Sequence, residues 1–230
     1  MAIITQDVSF PGSTGKPLQA RLAQPEGNGP FPAIVVIHEI YGLNDNIRDI
    51  TGRFADQGYV ALGVDLFAGH SRAVCMAQFM GGMLFNSTDH LGIRDLKASL
   101  DYLSKLPNVD PQRVGAVGYC MGGSFAIAWA STDKRLKAIA PYYAMNPRPA
   151  EAIARLCPVV GSYPKSDFTA NAGKTLDGKL NDYKIEHDIK IYPGAKHSFF
   201  NDQNAASYNA DAAKDSWERV LGFFQTHVKG

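Results

Sequence analysis

A five-residue stretch, Gly118-Tyr119-Cys120-Met121-Gly122, constrains the fold of this chain more than any other feature. It follows an apolar run, Arg113 to Val117, and precedes a run of helical character, Ser124 to Ala130. Glycines two positions either side of a nucleophilic residue are typical of a tight strand-to-helix turn, where neighbouring side chains would collide. The stretch predicts an α/β sheet protein in which Cys120 is a nucleophile and the Met121 N–H is an oxyanion donor. The alternative is a buried core cysteine, since free cysteine is among the most buried residue types.

The predicted turn also has an electrostatic consequence for Cys120. It raises the sulfur above the sheet edge and places it at the N-terminus of a helix. The partial positive charge at a helix N-terminus favours an anion. We therefore expect the helix to favour the thiolate form of this cysteine.

Short apolar runs alternate with segments of helical character along the whole chain, the order of a mostly parallel sheet with helices on both faces. Most runs lack alternation of polar and apolar residues, as strands buried on both faces do. With 230 residues and no internal repeat, one domain spanning residues 1–230 is expected. The predicted strands are Leu18 to Ala23, Ala33 to His38, Val60 to Asp65, Arg113 to Tyr119, Leu136 to Pro141, Pro158 to Ser162 and Asp188 to Tyr192.

Three helices are predicted outside the run after Cys120. One covers Asn46 to Asp56, and a second is capped by Ser87 and stops at Pro107. The third, near the end of the chain, presents Trp217, Val220, Leu221 and Phe224 as an apolar stripe for packing on the sheet. The segment from Leu66 to Asn86 is ambiguous, because its methionines, leucine and phenylalanines suit either a buried helix or an apolar lid over a pocket.

Charge and cysteine content exclude several classes of protein. Lysine and arginine number 23 against 22 acidic residues, so a net charge of +1 gives no broad basic field for nucleic acid or anionic lipid. The apolar runs are too short to span a bilayer, and residues 1–10 lack the pattern of a secretory signal. Three cysteines, without zinc-ligand spacing, favour reduced thiols. We expect a cytoplasmic protein with neither a nucleic-acid nor a membrane partner.

A nucleophilic thiol needs a base and a group that orients it, and chain order selects both. In folds with this turn, the acid and then the histidine follow the nucleophile on loops after later strands. His197 follows the last predicted strand and the turn Pro193-Gly194, and Asp167 follows the preceding strand. Asp202 is a rival for the acid because it lies close after His197.

Other motifs are incomplete. His38-Glu39 begins like a zinc-protease motif, but Gly42 stands where the second histidine belongs. The chain lacks both a Walker A segment and a Gly-x-Gly-x-x-Gly fingerprint. No metal and no cofactor are therefore expected.

Four motifs together resemble the dienelactone hydrolase family, and the likeness runs from about Pro32 to the C-terminal helix. Membership would imply an α/β-hydrolase fold and a Cys120, Asp167, His197 triad. It would also place Glu39 beside the thiol and make the backbone N–H groups of Ile40 and Met121 the oxyanion hole. The motifs are His38-Glu-Ile-Tyr-Gly-Leu-Asn44, Gly58-Tyr-Val-Ala-Leu with Asp65-Leu-Phe, Gly118-Tyr-Cys-Met-Gly-Gly123, and Tyr192-Pro-Gly-Ala-Lys-His-Ser-Phe199.

The resemblance implies hydrolysis of a small-molecule ester or lactone by a monomer or small homo-oligomer. Dienelactone-cleaving members of the family carry arginines that hold a substrate carboxylate, and this chain departs from them at those positions. It reads Phe199-Phe200-Asn201 shortly after His197, and Arg72 is the only arginine in the stretch from residue 54 to Asp89. A general carboxylesterase or thioesterase is an alternative function. A non-catalytic binding protein that keeps the fold is another, because fold alone does not prove activity.

Overall fold

A computed structural model describes residues 2–68 and 72–230. Within these residues eight strands form one sheet and six α-helices flank it. The strands are β1 (Ile3–Pro11), β2 (Pro17–Pro25), β3 (Phe31–Ile37), β4 (Val60–Asp65), β5 (Val109–Tyr119), β6 (Leu136–Tyr142), β7 (Val159–Pro164) and β8 (His187–Tyr192). The helices are α1 (Asp45–Asp56), α2 (Arg72–Phe85), α3 (Leu91–Leu103), α4 (Met121–Ala130), α5 (Ala170–Asp182) and α6 (Ala210–Phe224).

The strand order in the sheet is β1-β2-β4-β3-β5-β6-β7-β8. Strands β3 to β8 run parallel, and β1 and β2 add an antiparallel pair at one end. Parallel strands need covered faces, and each face has its own apolar cluster. Helices α3, α4 and α5 bury side chains in one cluster, and α1 and α6 bury theirs in the other. This architecture confirms the predicted α/β-hydrolase fold.

All seven predicted strands are present, and one strand was missed. Strand β1 is an exposed edge strand with mostly exposed side chains, so it lacks the apolar run that marks the other strands. The predicted stripe near the C-terminus lies on α6, where Val220 and Phe224 are buried and Trp217 and Leu221 pack against the same cluster. Sequence reasoning therefore found strands β2 to β8 and missed β1, the exposed strand at one edge of the sheet.

The predicted cap at Ser87 is wrong. Helix α3 begins at Leu91 after His90, while the Ser87 hydroxyl accepts a hydrogen bond from the Arg148 N–H at 2.8 Å and donates to the Arg148 carbonyl at 3.2 Å. Ser87 therefore links the loop before α3 to the loop after β6 through these hydrogen bonds. Helix α1 does carry a side-chain cap, in which Asn44 accepts from the Ile47 N–H at 3.1 Å.

Part of the ambiguous segment, residues 69–71, lies outside the described residues. The remainder contains α2, in which Cys75 is fully buried and Met80 is half exposed. The side chains of Phe79, Met83 and Leu84 are likewise outside the described set. Within the described chain, no helix combines the length and apolar character needed to cross a bilayer.

Strand β8 lies at the free edge of the sheet and pairs only with β7. Arg219 of α6 holds it there, donating from Nε to the Asp188 carboxylate at 2.9 Å and from Nη2 to the Asp188 carbonyl at 2.8 Å. The same guanidinium donates to the Tyr192 hydroxyl at 2.9 Å. One side chain therefore contacts both ends of the edge strand.

Candidate active site

Cys120 occupies the turn between β5 and α4, with a backbone φ of 55° and ψ of −115°. Non-glycine residues rarely adopt positive φ, so the surrounding structure must hold this conformation. The Cys120 N–H donates to the Tyr142 carbonyl at 3.1 Å. A Cβ at Gly118 would lie 2.1 Å from the Gly122 carbonyl oxygen, and one at Gly122 would lie 2.4 Å from the Ile37 oxygen. The two glycines are therefore required by the close approach of β3 and β5 to α4.

Asp167 and His197 meet at the carboxyl ends of β7 and β8. Asp167 lies in the loop between β7 and α5, and His197 lies in the loop after β8. His197 Nδ1 is 2.6 Å from Asp167 Oδ2, which also accepts from the Thr169 hydroxyl at 2.7 Å. The Asp167 side chain is buried, so its partners hold it in place. With the Nδ1 proton directed at Asp167, His197 Nε2 is the nitrogen available to accept a proton.

The rival acid Asp202 is engaged elsewhere. Its carboxylate pairs with Arg53 and accepts from Asn46 at 3.4 Å. His38 holds the backbone together, since Nδ1 bonds the Glu39 carbonyl and Nε2 accepts from the Leu66 N–H at 3.0 Å. In the part of the chain that the structure describes, no cluster of three or more potential metal ligands occurs.

Cys120 and His197 line one cavity of about 210 Å³. The cavity is bounded mainly by apolar side chains from five segments: the loop after β3, helix α2, the start of α4, the loop after β6 and the loop after β7. Its described lining residues are Ile40, Met76, Met80, Cys120, Met121, Ser124, Tyr143, Met145, Phe168 and His197. Among the predicted site residues, Ile40 and Met121 line the same cavity as Cys120.

Two aromatic rings fix the orientation of the His197 imidazole. Phe168 stacks on it, with ring centroids 5.3 Å apart and planes inclined by 15°, although Phe168 is 70% exposed. Tyr143 packs against it from the buried side at 4.9 Å. The imidazole is thus held between these rings and Asp167.

Glu39 is buried beneath the cavity. It is 3% exposed, and its Oε1 accepts a hydrogen bond from the Ser198 hydroxyl at 2.8 Å. Burial and the nearby negative charge of Glu39 raise the pKa of the Tyr143 hydroxyl. Ser198 has a left-handed φ of 61°, which a non-glycine residue adopts only when its surroundings enforce it. Glu39 is therefore connected to the residue directly after His197.

The electrostatics of Cys120 differ from the expectation based on the helix terminus. Burial, reinforced by the negative charge of nearby Glu39, raises the pKa of the Cys120 thiol to about 12. The Met121 N–H bonds to the sulfur and opposes the shift, but its effect on the pKa is smaller. The predicted preference for thiolate is therefore wrong for this resting geometry, because loss of solvent outweighs the helix terminus.

The Cys120 thiol and the His197 imidazole are not hydrogen-bonded to each other in this structure. Although both line the cavity, no hydrogen bond joins the Cys120 sulfur to His197 within the described part of the chain. The neutral thiol and the oriented imidazole line the same cavity but are not hydrogen-bonded partners in this conformation.

Four residues near the site were not predicted: Tyr143, Phe168, Ser198 and Met145. Ser198 and Phe168 directly follow His197 and Asp167, so adjacency was a usable signal. Tyr143 and Met145 follow β6, and the parallel order of strands brings their loop beside Cys120. No local pattern marks either of them.

Comparison with known proteins gives a consistent result. The family model of the dienelactone hydrolase family matches residues 18–228. A protein of Saccharolobus solfataricus, provisionally named carboxymethylenebutenolidase, is 34% identical, covering 94% of this chain and 96% of its own. A Synechocystis protein with the same provisional name is 36% identical over 90% and 91% of the two chains. A Klebsiella pneumoniae crystal structure provisionally named dienelactone hydrolase superimposes with a TM-score of 0.85 at 27% identity, covering 98% and 99% of the chains.

Proposed function

The chain belongs to the dienelactone hydrolase family, and from this premise we propose that it hydrolyses an ester or lactone through a Cys120, His197, Asp167 triad. The observation that carries the proposal is the convergence of the Cys120 sulfur and the Asp167-bound His197 on one cavity. A nucleophile, a base and a group that orients the base are the parts that acyl transfer requires.

In the acylation half-reaction, the Cys120 sulfur attacks the ester carbonyl and its proton passes to His197. The carbonyl oxygen becomes an oxyanion, for which the N–H groups of Ile40 and Met121 are the proposed donors. Collapse of the tetrahedral intermediate breaks the carbon–oxygen bond to the alcohol. His197 then returns its proton to the departing alkoxide, leaving an acylated Cys120 and a neutral imidazole.

In the deacylation half-reaction, water replaces the alcohol. His197 Nε2 takes one proton from water as the oxygen attacks the thioester carbon. Collapse of the second intermediate expels the Cys120 sulfur, which regains the proton from His197. The products are a carboxylic acid and the resting thiol, so the cycle needs no oxidant, reductant or bound cofactor. Asp167 stays ionised throughout and stabilises the imidazolium.

Glu39 is proposed to control the resting thiol. A permanent thiolate would leave easily from the tetrahedral intermediate and would oxidise readily between turnovers. Burial and the Glu39 charge both raise the pKa of Cys120, which keeps the thiol neutral until substrate enters. The Glu39 carboxylate also accepts a hydrogen bond from Ser198, which links it to the loop that carries His197.

The test is ester turnover by purified wild type and two cysteine variants. Cys120→Ala should reduce kcat/KM for p-nitrophenyl acetate and a simple lactone by at least about 10³-fold, the usual loss for a missing nucleophile. Cys157→Ala is the matched control, because Cys157 is another partly buried cysteine and lies outside the cavity. Mass spectrometry of rapidly quenched wild type should find the acyl group on the peptide that contains Cys120.

Turnover that survives in Cys120→Ala would contradict the proposal. Absence of turnover in wild type across esters, lactones and acyl-CoA thioesters would favour a non-catalytic binding protein. Thioesters cleaved much faster than matched oxygen esters would instead assign the same triad to a thioesterase.

A further inference from the structure

The methionines of this chain are concentrated at the cavity. Among the methionines whose side chains the structure describes, Met76, Met80, Met121 and Met145 all line it. They come from α2, from the start of α4 and from the loop after β6, so three separate segments supply the same side-chain type. We call these four residues the methionine wall. Methionine is flexible and polarisable, and proteins use it where one surface must fit ligands of different shape.

The rim of the cavity is apolar as well. Ile40, Met80, Met145 and Phe168 all belong to the few large hydrophobic side chains that are exposed to solvent, and all four line this cavity. Exposed apolar groups gathered at one place mark a binding surface more often than scattered ones do. Because this surface is continuous with Cys120 and His197, its occupant is the substrate of those residues.

The charges around the cavity further limit which substrates it can bind. No lysine or arginine side chain is among the described residues that line the cavity, and the buried carboxylate of Glu39 lies beside the thiol. A substrate carboxylate entering here would lose its hydration without gaining a cationic partner from the described lining residues. The cavity is therefore suited to an uncharged group.

The proposed reaction determines which part of the substrate lies beside His197. His197 must protonate the departing alcohol, so the alcohol lies toward the imidazole and Phe168. The acyl chain then occupies the rest of the cavity, whose lining the methionine wall largely supplies. Given the proposed function, on which this step rests, we infer that the methionine wall binds uncharged, apolar acyl chains of varied shape, and that the natural substrates are esters of such acids.

The experiment measures kcat/KM for p-nitrophenyl esters from acetyl to hexanoyl. Each added methylene should raise kcat/KM about threefold, because burying one methylene group in an apolar site stabilises the bound transition state by about that factor. The gain from acetyl to hexanoyl is then on the order of 10²-fold. The mono-p-nitrophenyl ester of adipic acid, which has the same number of acyl carbons and a terminal carboxylate, should react at least about 100-fold more slowly than the hexanoyl ester.

A charge placed in the wall should reverse part of this preference. Met80→Arg, at a half-exposed position, should raise kcat/KM for the adipoyl ester about fivefold over Met80→Gln, the neutral variant of similar size. It should lower kcat/KM for the hexanoyl ester. Ile4→Arg adds the same charge at an exposed apolar residue outside the cavity and should change neither rate.

Three results would overturn the inference while leaving the proposed function intact. The first is a flat or falling acyl series in an enzyme that still hydrolyses p-nitrophenyl acetate through Cys120. The second is faster turnover of the adipoyl than the hexanoyl ester; if Arg72→Gln abolished that preference, Arg72 would be the carboxylate-binding residue. The third is an equal effect of Met80→Arg and Ile4→Arg. Loss of all turnover in wild type would instead contradict the proposed function itself.

Discussion

The protonation of Cys120 in the resting protein is open to direct measurement by alkylation. Burial and the charge of Glu39 raise the pKa of this thiol from an ordinary value of 9.0 to about 12. At pH 8 a thiol of ordinary pKa is about one-tenth thiolate, whereas one with a pKa near 12 is ionised in about one molecule in 10⁴. The thiolate population therefore falls about 1,000-fold on folding.

The rate falls by less than the population, because a more basic thiolate is also more nucleophilic. With a Brønsted slope of about 0.45, an increase of about three pKa units raises thiolate reactivity roughly 20-fold. The net prediction is that iodoacetamide alkylates Cys120 about 50-fold more slowly in the folded protein than in the same chain unfolded in urea. The pH dependence of the folded rate separates the two causes of slow alkylation, because exclusion of the reagent would leave the rate of a thiol of ordinary pKa to level off above pH 9, whereas a pKa near 12 would not.

The assay is mass spectrometry of the Cys120 peptide after timed alkylation between pH 6 and pH 10. The folded rate should rise about tenfold per pH unit throughout, because the thiol is neutral below a pKa near 12. Glu39→Gln removes the second cause of the raised pKa and should accelerate alkylation at pH 8. A rate that levels off below pH 8, as for a thiolate paired with His197, would refute the reasoning, as would unchanged alkylation in Glu39→Gln.

Two further substitutions test the turn and the base. Gly122→Ala directs a Cβ to within 2.4 Å of the Ile37 oxygen and should lower the free energy of unfolding in urea by at least about 3 kcal/mol. The matched Gly222→Ala on α6 meets nothing within 4 Å and should raise it by about 0.5 to 1 kcal/mol, so equal effects would contradict the clash argument. Asp167→Asn keeps a partner for His197 Nδ1 but removes the negative charge and disfavours the Nδ1–H tautomer, and it should lower kcat about 10³- to 10⁴-fold without unfolding the protein. Near-normal turnover would show that Asp167 is not the orienting acid.

The sheet was predictable from sequence where its strands are buried on both faces. Strands such as β3 and β4 consist almost wholly of buried residues, and continuous apolar runs reveal them. Strand β1 is mostly exposed, so its sequence resembles a loop. The cap assigned to Ser87 failed because its hydroxyl bonds to Arg148, which lies far away in sequence.

For the candidate site, chain order correctly predicted that the acid and the histidine lie together. The loops after β7 and β8 carry Asp167 and His197 into hydrogen-bonding contact, as adjacent parallel strands require. The protonation state of the Cys120 thiol could not be predicted from the sequence, because its pKa depends on a balance of opposing effects. A helix terminus is visible as a local motif, whereas the burial of Cys120 and the approach of Glu39 are products of tertiary packing.

The position of β8 at the margin of the sheet has a thermal consequence for the site. The proposed nucleophile stands on the central strand β5, while the imidazole depends on an edge strand that Arg219 fastens at Asp188 and Tyr192. Peripheral strands fray at lower free energy than central ones. Moderate warming should therefore detach the imidazole while the turn at Cys120 persists, and cooling should restore a working enzyme from molecules that never fully unfolded.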